Sequence, residues 1–362
     1  MTNRDGAVRA PARPTRSRWR LVILMAALVA AVAPTSGACV ERMYSRGFYP
    51  GIQRALTSLS NLAPVALFDL LLLGAGIGLA ARWVVVLRRP TTVRRVQVVF
   101  GLVRDSAVVL AAGYLAFLLC WGLNYRREPL RAKLDFDQAR ITAASLEALA
   151  HASVNALNRL HGPAQRQSWP ALDAVPAQLV DPFRQAQARL PAGADALPAR
   201  PKTTLLGFYF RRAGIDGMTD PFLLETLVNA EVLPFERPFV IAHEWAHLAG
   251  YADEAEASFV AWLTCQSGDA ATRYSGWLFL YPHLVRQLDR DTRRAVAEGL
   301  HDGPARDLAA IGGRLARASP VVRRQANRVY DRYLRANRVS SGIASYGGVV
   351  DLVLGARAGP PD

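Results

Sequence analysis

The run from Leu62 to Leu87 is broken by only two charged residues, Asp69 and Arg82, and Ser106 to Leu123 carries none. A helix needs roughly 20 apolar residues to cross the hydrocarbon core of a bilayer, so both runs are read as transmembrane helices. Their backbone must then satisfy its own hydrogen bonds, which a helix does. A third apolar run, Leu21 to Ala33, follows directly on Arg13, Arg16, Arg18 and Arg20. It is shorter and is read as an uncleaved anchor. "AVA" (Ala31 to Ala33) would otherwise serve as a signal-peptidase site, and "TSGAC" before Cys39 has a serine where a lipoprotein site usually has leucine.

Arginine placement sets the expected orientation. Six arginines precede Leu21, and five more (Arg82, Arg88, Arg89, Arg94, Arg95) fill the linker between the two long runs. Basic segments stay cytoplasmic. The tail and the 82–95 linker are therefore placed inside, with Val40–Asn61 and everything after Leu123 outside. Arg126, Arg127, Arg131 and Lys133 run against this pattern. The expected organisation is a basic cytoplasmic tail (1–20), a membrane domain (21–124, with helices at about 21–39, 62–87 and 105–123), a helical and Pro/Ala-rich connection (125–202) and a final domain at 203–355. The localisation that follows is a bacterial inner or plasma membrane, with the final domain extracytoplasmic.

The net charge of +15 raises nucleic acid as a partner. Much of it is spent on topology and on helices such as Arg286–Arg294 and Arg323–Arg338, and no nucleic-acid module is visible; solvated helix faces and lipid headgroups account for it. The bilayer is the expected partner. Cys39, Cys120 and Cys265 form no CxxC pair and are too few for a disulfide framework. Cys39 and Cys120 would both lie near the outer face, within bridging reach, but three unrelated cysteines is the simpler expectation.

Beyond the membrane runs, Ile141, Leu146, Leu149, Val154, Leu157 and Leu160 recur at helical spacing. Residues 162–201 are rich in proline and alanine, with room for short helical pieces, and read as a linker or surface excursion. "TTLLGFYF" (Thr203 to Phe210) reads as a β-strand, "GIDGMTDPF" as a turn and "ETLVNAEVL" as a second strand. From Pro238 to about Leu354 the pattern is helical.

The chemistry is concentrated in "PFVIAHEWAHLAGYADEAEASFVAWL", Pro238 to Leu263. Residues four apart share one face of a helix, so His243 and His247 can aim at one ion. Glu244 points about 100° round the helix, placed to touch a water but not to bind the metal. This is the HExxH arrangement of two zinc ligands and a general base. Two core histidines are the bland alternative, but that motif arises rarely by chance. A catalytic zinc needs a third protein ligand and an open position. Gly250 ends the helix, and a second begins near Glu254. Asp253 as N-cap and Glu256 three residues on would form a capping box, which leaves Glu254 without a structural role. Glu254 is favoured over Glu256 as third ligand. His151, His161, His283 and His301 are read as ordinary surface or core residues.

The segment resembles the zinc core of gluzincin-type metallopeptidases, HExxH on one helix and E-x-x-A on the next. More closely it is similar to a bacterial membrane family catalogued as domain-of-unknown-function family 3810, of the zincin-like class. The likeness extends over "WGLNYRREPL" (Trp121 to Leu130), "GMTDPF" (Gly217 to Phe222), the histidine helix and "YLRANRVSSGIASYGGVV" (Tyr333 to Val350). It implies a mainly α fold with three transmembrane helices, then a zincin-like metallopeptidase domain with a small β element. It also implies His243, His247 and Glu254 as Zn2+ ligands, Glu244 as base, and a peptide or protein substrate. Tyr346 is the oxyanion donor suggested by the resemblance; a packed tyrosine near a helix start is the alternative. Ser258 departs from the related pattern, which has Asn or Asp there, so the partner of a ligand histidine is expected to be weaker or differently supplied.

The expected function is therefore a membrane-anchored zinc peptidase using a zinc-bound water. The rival is a non-catalytic membrane scaffold or sensor with structural zinc. An intramembrane protease does not fit, because the apolar stretch round the motif is only about a dozen residues, short of the roughly 20 that spanning requires.

Overall fold

The computed structural model describes residues 15–167, 169–191, 195–339 and 348–356. The chain is mainly helical with little strand, and divides into two units, one made of Met1–Pro34 and Gly74–Leu119, the other of Thr35–Leu73 and Cys120–Asp362.

The first unit holds α1 (Thr15–Val32) and most of α4 (Leu67–Arg88) and α5 (Arg95–Cys120). At 1.5 Å per residue, α4 and α5 are about 33 and 39 Å long, enough for a hydrocarbon core of about 30 Å. Their best windows have mean hydropathies of 2.2 and 1.7, and both are long and apolar enough to cross a membrane. A third span is reached only if the helical segments Arg18–Val32 and Gly37–Leu62 are counted together. Charges within these helices find one another, as charges in apolar surroundings must. Asp105 of α5 binds Arg82 of α4, and Arg20 of α1 lies 2.9 Å from the same carboxylate. Trp83 donates to Ser106 at 3.1 Å.

The second unit opens with a single helical turn, α2 (Gly37–Val40), which passes through a π-turn at Glu41–Phe48 into α3 (Tyr49–Leu62). Then come α6 (Ala143–Arg166), started by a reciprocal Thr142–Ser145 cap, and α7 (Pro176–Arg189). The stretch 162–201, expected as a linker, thus contains the end of one helix and all of another. Proline content misleads there because Pro176 sits in the first turn, where its missing N–H costs nothing. Leu179, Phe183 and Ala186 form the buried stripe.

A three-stranded sheet follows in the order β1-β3-β2, from β1 (Pro201–Lys202), β2 (Gly217–Thr219) and β3 (Thr226–Val228). β1 runs parallel and β2 antiparallel to β3. The strand expected at Thr203–Phe210 does not form; the chain turns there and winds into α8 (Gly207–Ala213). Its polar groups are satisfied by Asp69, which accepts from the Thr204 hydroxyl at 2.6 Å and the Leu205 N–H at 2.8 Å. β-propensity yields to such tertiary context. The expected "GIDGMTDPF" turn contains β2, and the expected strand at "ETLVNAEVL" shortens to β3.

Seven helices complete the unit: α9 (Arg237–Leu248), α10 (Glu254–Gln266), α11 (Ala270–Val285), α12 (Arg290–Glu298), α13 (Asp302–Ala316), α14 (Pro320–Ala336) and α15 (Gly348–Gly355). α10 lies at the centre, every residue buried, against α7, α9, α11 and α15. α9 fills the space between α10, α11 and strands β2 and β3. The cysteines are free.

Candidate metal centre

The site is built where α9 stops and α10 starts. Gly250 ends α9 at φ +83, and a Cβ there would lie 3.0 Å from Asn124 Oδ1 and 3.3 Å from Arg127 Nη1. Both the left-handed backbone and the close neighbours require glycine. The last carbonyls of a helix have no partner within it; here Trp121 donates to the His247 carbonyl at 2.9 Å and Tyr49 to the Leu248 carbonyl at 2.8 Å. Arg127 donates to the Gly250 carbonyl at 3.0 Å while its other guanidinium nitrogens grip Glu41 at 2.7 Å. Segment 121–130 therefore holds the turn between the two site helices. Spacing along the chain gave no sign of this; the signal present was the density of Trp, Asn and Arg just past an apolar run.

Asp253 caps α10, accepting from the N–H groups of Ala255 and Glu256 at 2.9 and 3.2 Å. The reciprocal half of the expected capping box is absent, because the Glu256 carboxylate turns away to the Leu130 N–H at 2.5 Å. Glu256 is thus engaged elsewhere. Glu254, in the first turn of α10, faces the histidines.

Three ligand atoms converge. His243 Nε2 lies 3.2 Å from Glu254 Oε2 and 3.1 Å from His247 Nε2, and His247 Nε2 lies 3.6 Å from the same carboxylate oxygen. Bonds of about 2.0–2.1 Å to a tetrahedral ion put its ligand atoms about 3.3–3.4 Å apart, which these spacings match. Among the described residues, this is the one group of three or more His, Cys, Asp or Glu side chains that could hold a metal ion, its ligand atoms all within 4.8 Å of one another.

The surrounding groups orient the ligands. His247 Nδ1 is 2.7 Å from the Tyr251 carbonyl, which can only accept, so in the neutral ring the proton sits on Nδ1 and Nε2 is the nitrogen left for a metal. His243 Nδ1 lies 3.3 Å from the Ser258 hydroxyl, so the serine that departs from the related pattern stands beside a candidate ligand, at long range. The second oxygen of Glu254 accepts from the Tyr330 hydroxyl of α14. Tyr330 stacks on Tyr333, whose ring meets Tyr125 edge-on, and Tyr125 meets Trp121, which in turn packs against His247. Sequence reasoning missed Tyr330. Its only trace was that Tyr330 and Tyr333, three apart, are the aromatic residues of an otherwise arginine-rich helix. Tyr346 lies outside the described residues.

Charge follows the geometry. Burial alone would lower the His247 imidazole pKa, but the Glu254 carboxylate outweighs it and the net is upward, to about 9. Burial would raise the Glu254 carboxyl, yet His247 and His243 hold it well below the ordinary carboxylate range.

Glu244 is separate from this trio and almost fully buried. Strand β2 lies along it: the Thr219 hydroxyl is 2.9 Å from both the Glu244 carboxylate and its carbonyl. A Cβ on Gly217 would come within 2.6 Å of Glu244 Oε1, so only glycine lets the strand approach this closely. Burial raises the Glu244 carboxyl pKa, partly offset by His243, His247 and the Thr219 hydrogen bond.

The other histidines stand apart. His161 packs edge-on against Tyr274 and lies 3.6 Å from Asp307, which also accepts from the Tyr274 hydroxyl.

A protein-family model matches residues 44–354 of the 362, under the description "Protein of unknown function (DUF3810)". The chain belongs to the DUF3810 family. The matched region takes in α4, α5, the sheet and both site helices, and the family's description names no activity. No curated protein and no solved structure matches the chain.

Proposed function

We propose that this DUF3810 protein is a membrane-anchored zinc metallopeptidase that hydrolyses peptide bonds. The observation that carries the reading is a buried carboxylate, Glu244, on the same helical turn as two imidazoles that meet a third ligand at tetrahedral spacing. His243, His247 and Glu254 would hold the ion; two histidines and a carboxylate are a donor set of catalytic zinc, which keeps a fourth position open. When bound, zinc supplies Lewis acidity, polarising a carbonyl and bringing the pKa of a water toward about 7.

The chain's own residues do the rest. Glu244 takes a proton at its carboxylate and returns it to the leaving amine, while Thr219 fixes that carboxylate's orientation. The Tyr251 carbonyl and Ser258 set the two imidazoles, and Tyr330 holds the oxygen of Glu254 that faces away from them. Tyr346 is assigned the oxyanion on the family resemblance. β2 is an edge strand beside Glu244, so an extended peptide could add to it by main-chain hydrogen bonds. The arginine pattern supports a site on the extracytoplasmic side.

The test is Glu244→Gln in the full chain, with bound zinc and cleavage of a denatured-protein mixture measured together. Expected is one zinc per chain in both forms and a loss of cleavage on the order of 10²–10⁴-fold in the variant. A wild-type protein with full zinc and no cleavage overturns the peptidase in favour of a scaffold with structural zinc, and a variant as active as wild type overturns Glu244 as the base.

A further inference from the structure

α3 buries the polar residues Gln53, Thr57 and Ser60, all three of which bind backbone carbonyls, Gln53 that of Leu197 (2.8 Å), Thr57 that of Leu224 (3.0 Å) and Ser60 that of Thr57 (3.1 Å). Leu59 and Leu62 face outward, Leu62 82% exposed, on a face that also carries Arg54 and Ser58. Large apolar side chains exposed over buried polar ones depart from the pattern of a helix against water.

The end of this helix is locked to the start of α4. The N–H groups of Leu67 and Phe68 donate to Glu225 at 3.1 and 2.8 Å; Lys202 binds Glu225 and also donates to the Ser60 carbonyl at 2.6 Å. Asp69, in the first turn of α4, holds Thr204 and Leu205. Leu205 is therefore fixed beside the first turn of α4. Ala66, Phe68 and Phe210 share one small core with Leu227, which seats α8 on the same junction. Around it Val65, Leu205, Phe208 and Tyr209 are exposed, Leu205 at 72% and Phe208 at 61%. Arg211 and Arg212 stand over the Phe208 ring at 5.9 and 5.1 Å.

We propose that the outer face of α3, the 205–209 segment and the two arginines of α8 form a collar seated in the bilayer's interfacial layer. This rests on α4 being a membrane span and not on the peptidase reading. Three features select lipid as the occupant. The apolar surface continues directly into exposed Leu70–Leu73 of α4. Aromatic side chains favour the headgroup level. Arg212, beside an Arg211 that lies 3.4 Å from Glu231, matches anionic headgroups, as on interfacial helices that bury one face about 5–10 Å deep. The collar would set the height and tilt at which the HExxH helix faces the membrane surface.

The test uses the full chain in vesicles of phosphatidylcholine and phosphatidylglycerol. Cys39 and Cys120 are replaced by serine; Cys265 is fully buried and stays. Single cysteines at Leu62, Leu205 and Phe208, with Leu72 as the span marker and exposed Glu298 as the aqueous marker, carry a spin label. Collision with oxygen, which partitions into lipid, is compared with collision with a water-soluble nickel chelate. Expected is an oxygen-to-nickel ratio several-fold above that of Glu298 at all three collar positions, and below that of Leu72. Ratios equal to Glu298 while Leu72 reads as lipid overturn the collar alone. Shielding from both reagents overturns it in favour of a protein partner or a second copy. Water exposure at Leu72 overturns the span reading together with the collar.

Discussion

α10 and α3 both bury polar side chains, and the difference lies in what those side chains meet. On α10, Glu254 and Ser258 turn toward other side chains, the histidines of α9, and converge with them on one point. On α3, Gln53 donates to Thr57 at 3.1 Å, and the two go on to the Leu197 and Leu224 backbone carbonyls, with no ligand-type side chain beside them. A buried polar group needs a partner, but a backbone carbonyl as partner indicates a structural joint, whereas a cluster of ligand-type side chains indicates a place for something else to bind. The other faces differ in the same sense. α10 is covered by protein all round, while α3 leaves leucines outside.

The largest effect expected from that contrast is at Glu254. Glu254→Gln should weaken zinc binding more than about 100-fold, beyond the 10–100-fold that loss of an outer partner costs, as read by competition with a chelator. Affinity within a few-fold of wild type would remove Glu254 from the ligand set and break the comparison. Next is Tyr330→Phe, which deletes only the hydroxyl on the outer oxygen of Glu254. It should lower zinc affinity or peptide cleavage by about 10–100-fold while leaving the melting temperature of the zinc-free chain unchanged. A fall in that melting temperature with unchanged affinity would make Tyr330 a packing residue.

The smallest is Thr57→Val on α3. Leu224 holds a left-handed backbone at φ +54, rare for leucine, with its carbonyl on Thr57 and its N–H on the Asp220 carbonyl at 3.1 Å. Stranding that carbonyl should cost about 1–2 kcal/mol of stability with no change in zinc affinity, measured by denaturation of the detergent-solubilised full chain. A change in affinity instead would show that α3 is coupled to the site and not only a joint.

Much of this was legible in the order of residues. The two long apolar runs correspond to α4 and α5, since length and composition suffice to say what could cross a bilayer. His243, Glu244 and His247 could be placed on one turn because the pitch of a helix relates residues four apart whatever surrounds them. Glu254 was separable from Glu256 by elimination, by the small residues Ser258 and Ala261 on its face and by the family resemblance, and half of the capping box used in the elimination does not form. Other expectations failed for a shared reason. The aromatic 203–210 stretch winds into a helix because Asp69 takes up its polar groups, and the proline-rich 162–201 region supports α7 because Pro176 falls where a first turn tolerates it and the buried stripe of Leu179, Phe183 and Ala186 finds a core that holds the helix through Pro182.

What the amino-acid order settled by itself, then, was local: helical period, apolar length and the spacing of candidate ligands, all set by backbone geometry over a few residues. The tertiary structure alone decided which carboxylate meets the imidazoles, that Tyr330 reaches Glu254 across 76 positions, and that Gly217 is bare so that β2 can lie against Glu244. Those contacts depend on how distant segments pack, and no spacing along the chain encodes a distance in space once the backbone has turned between them.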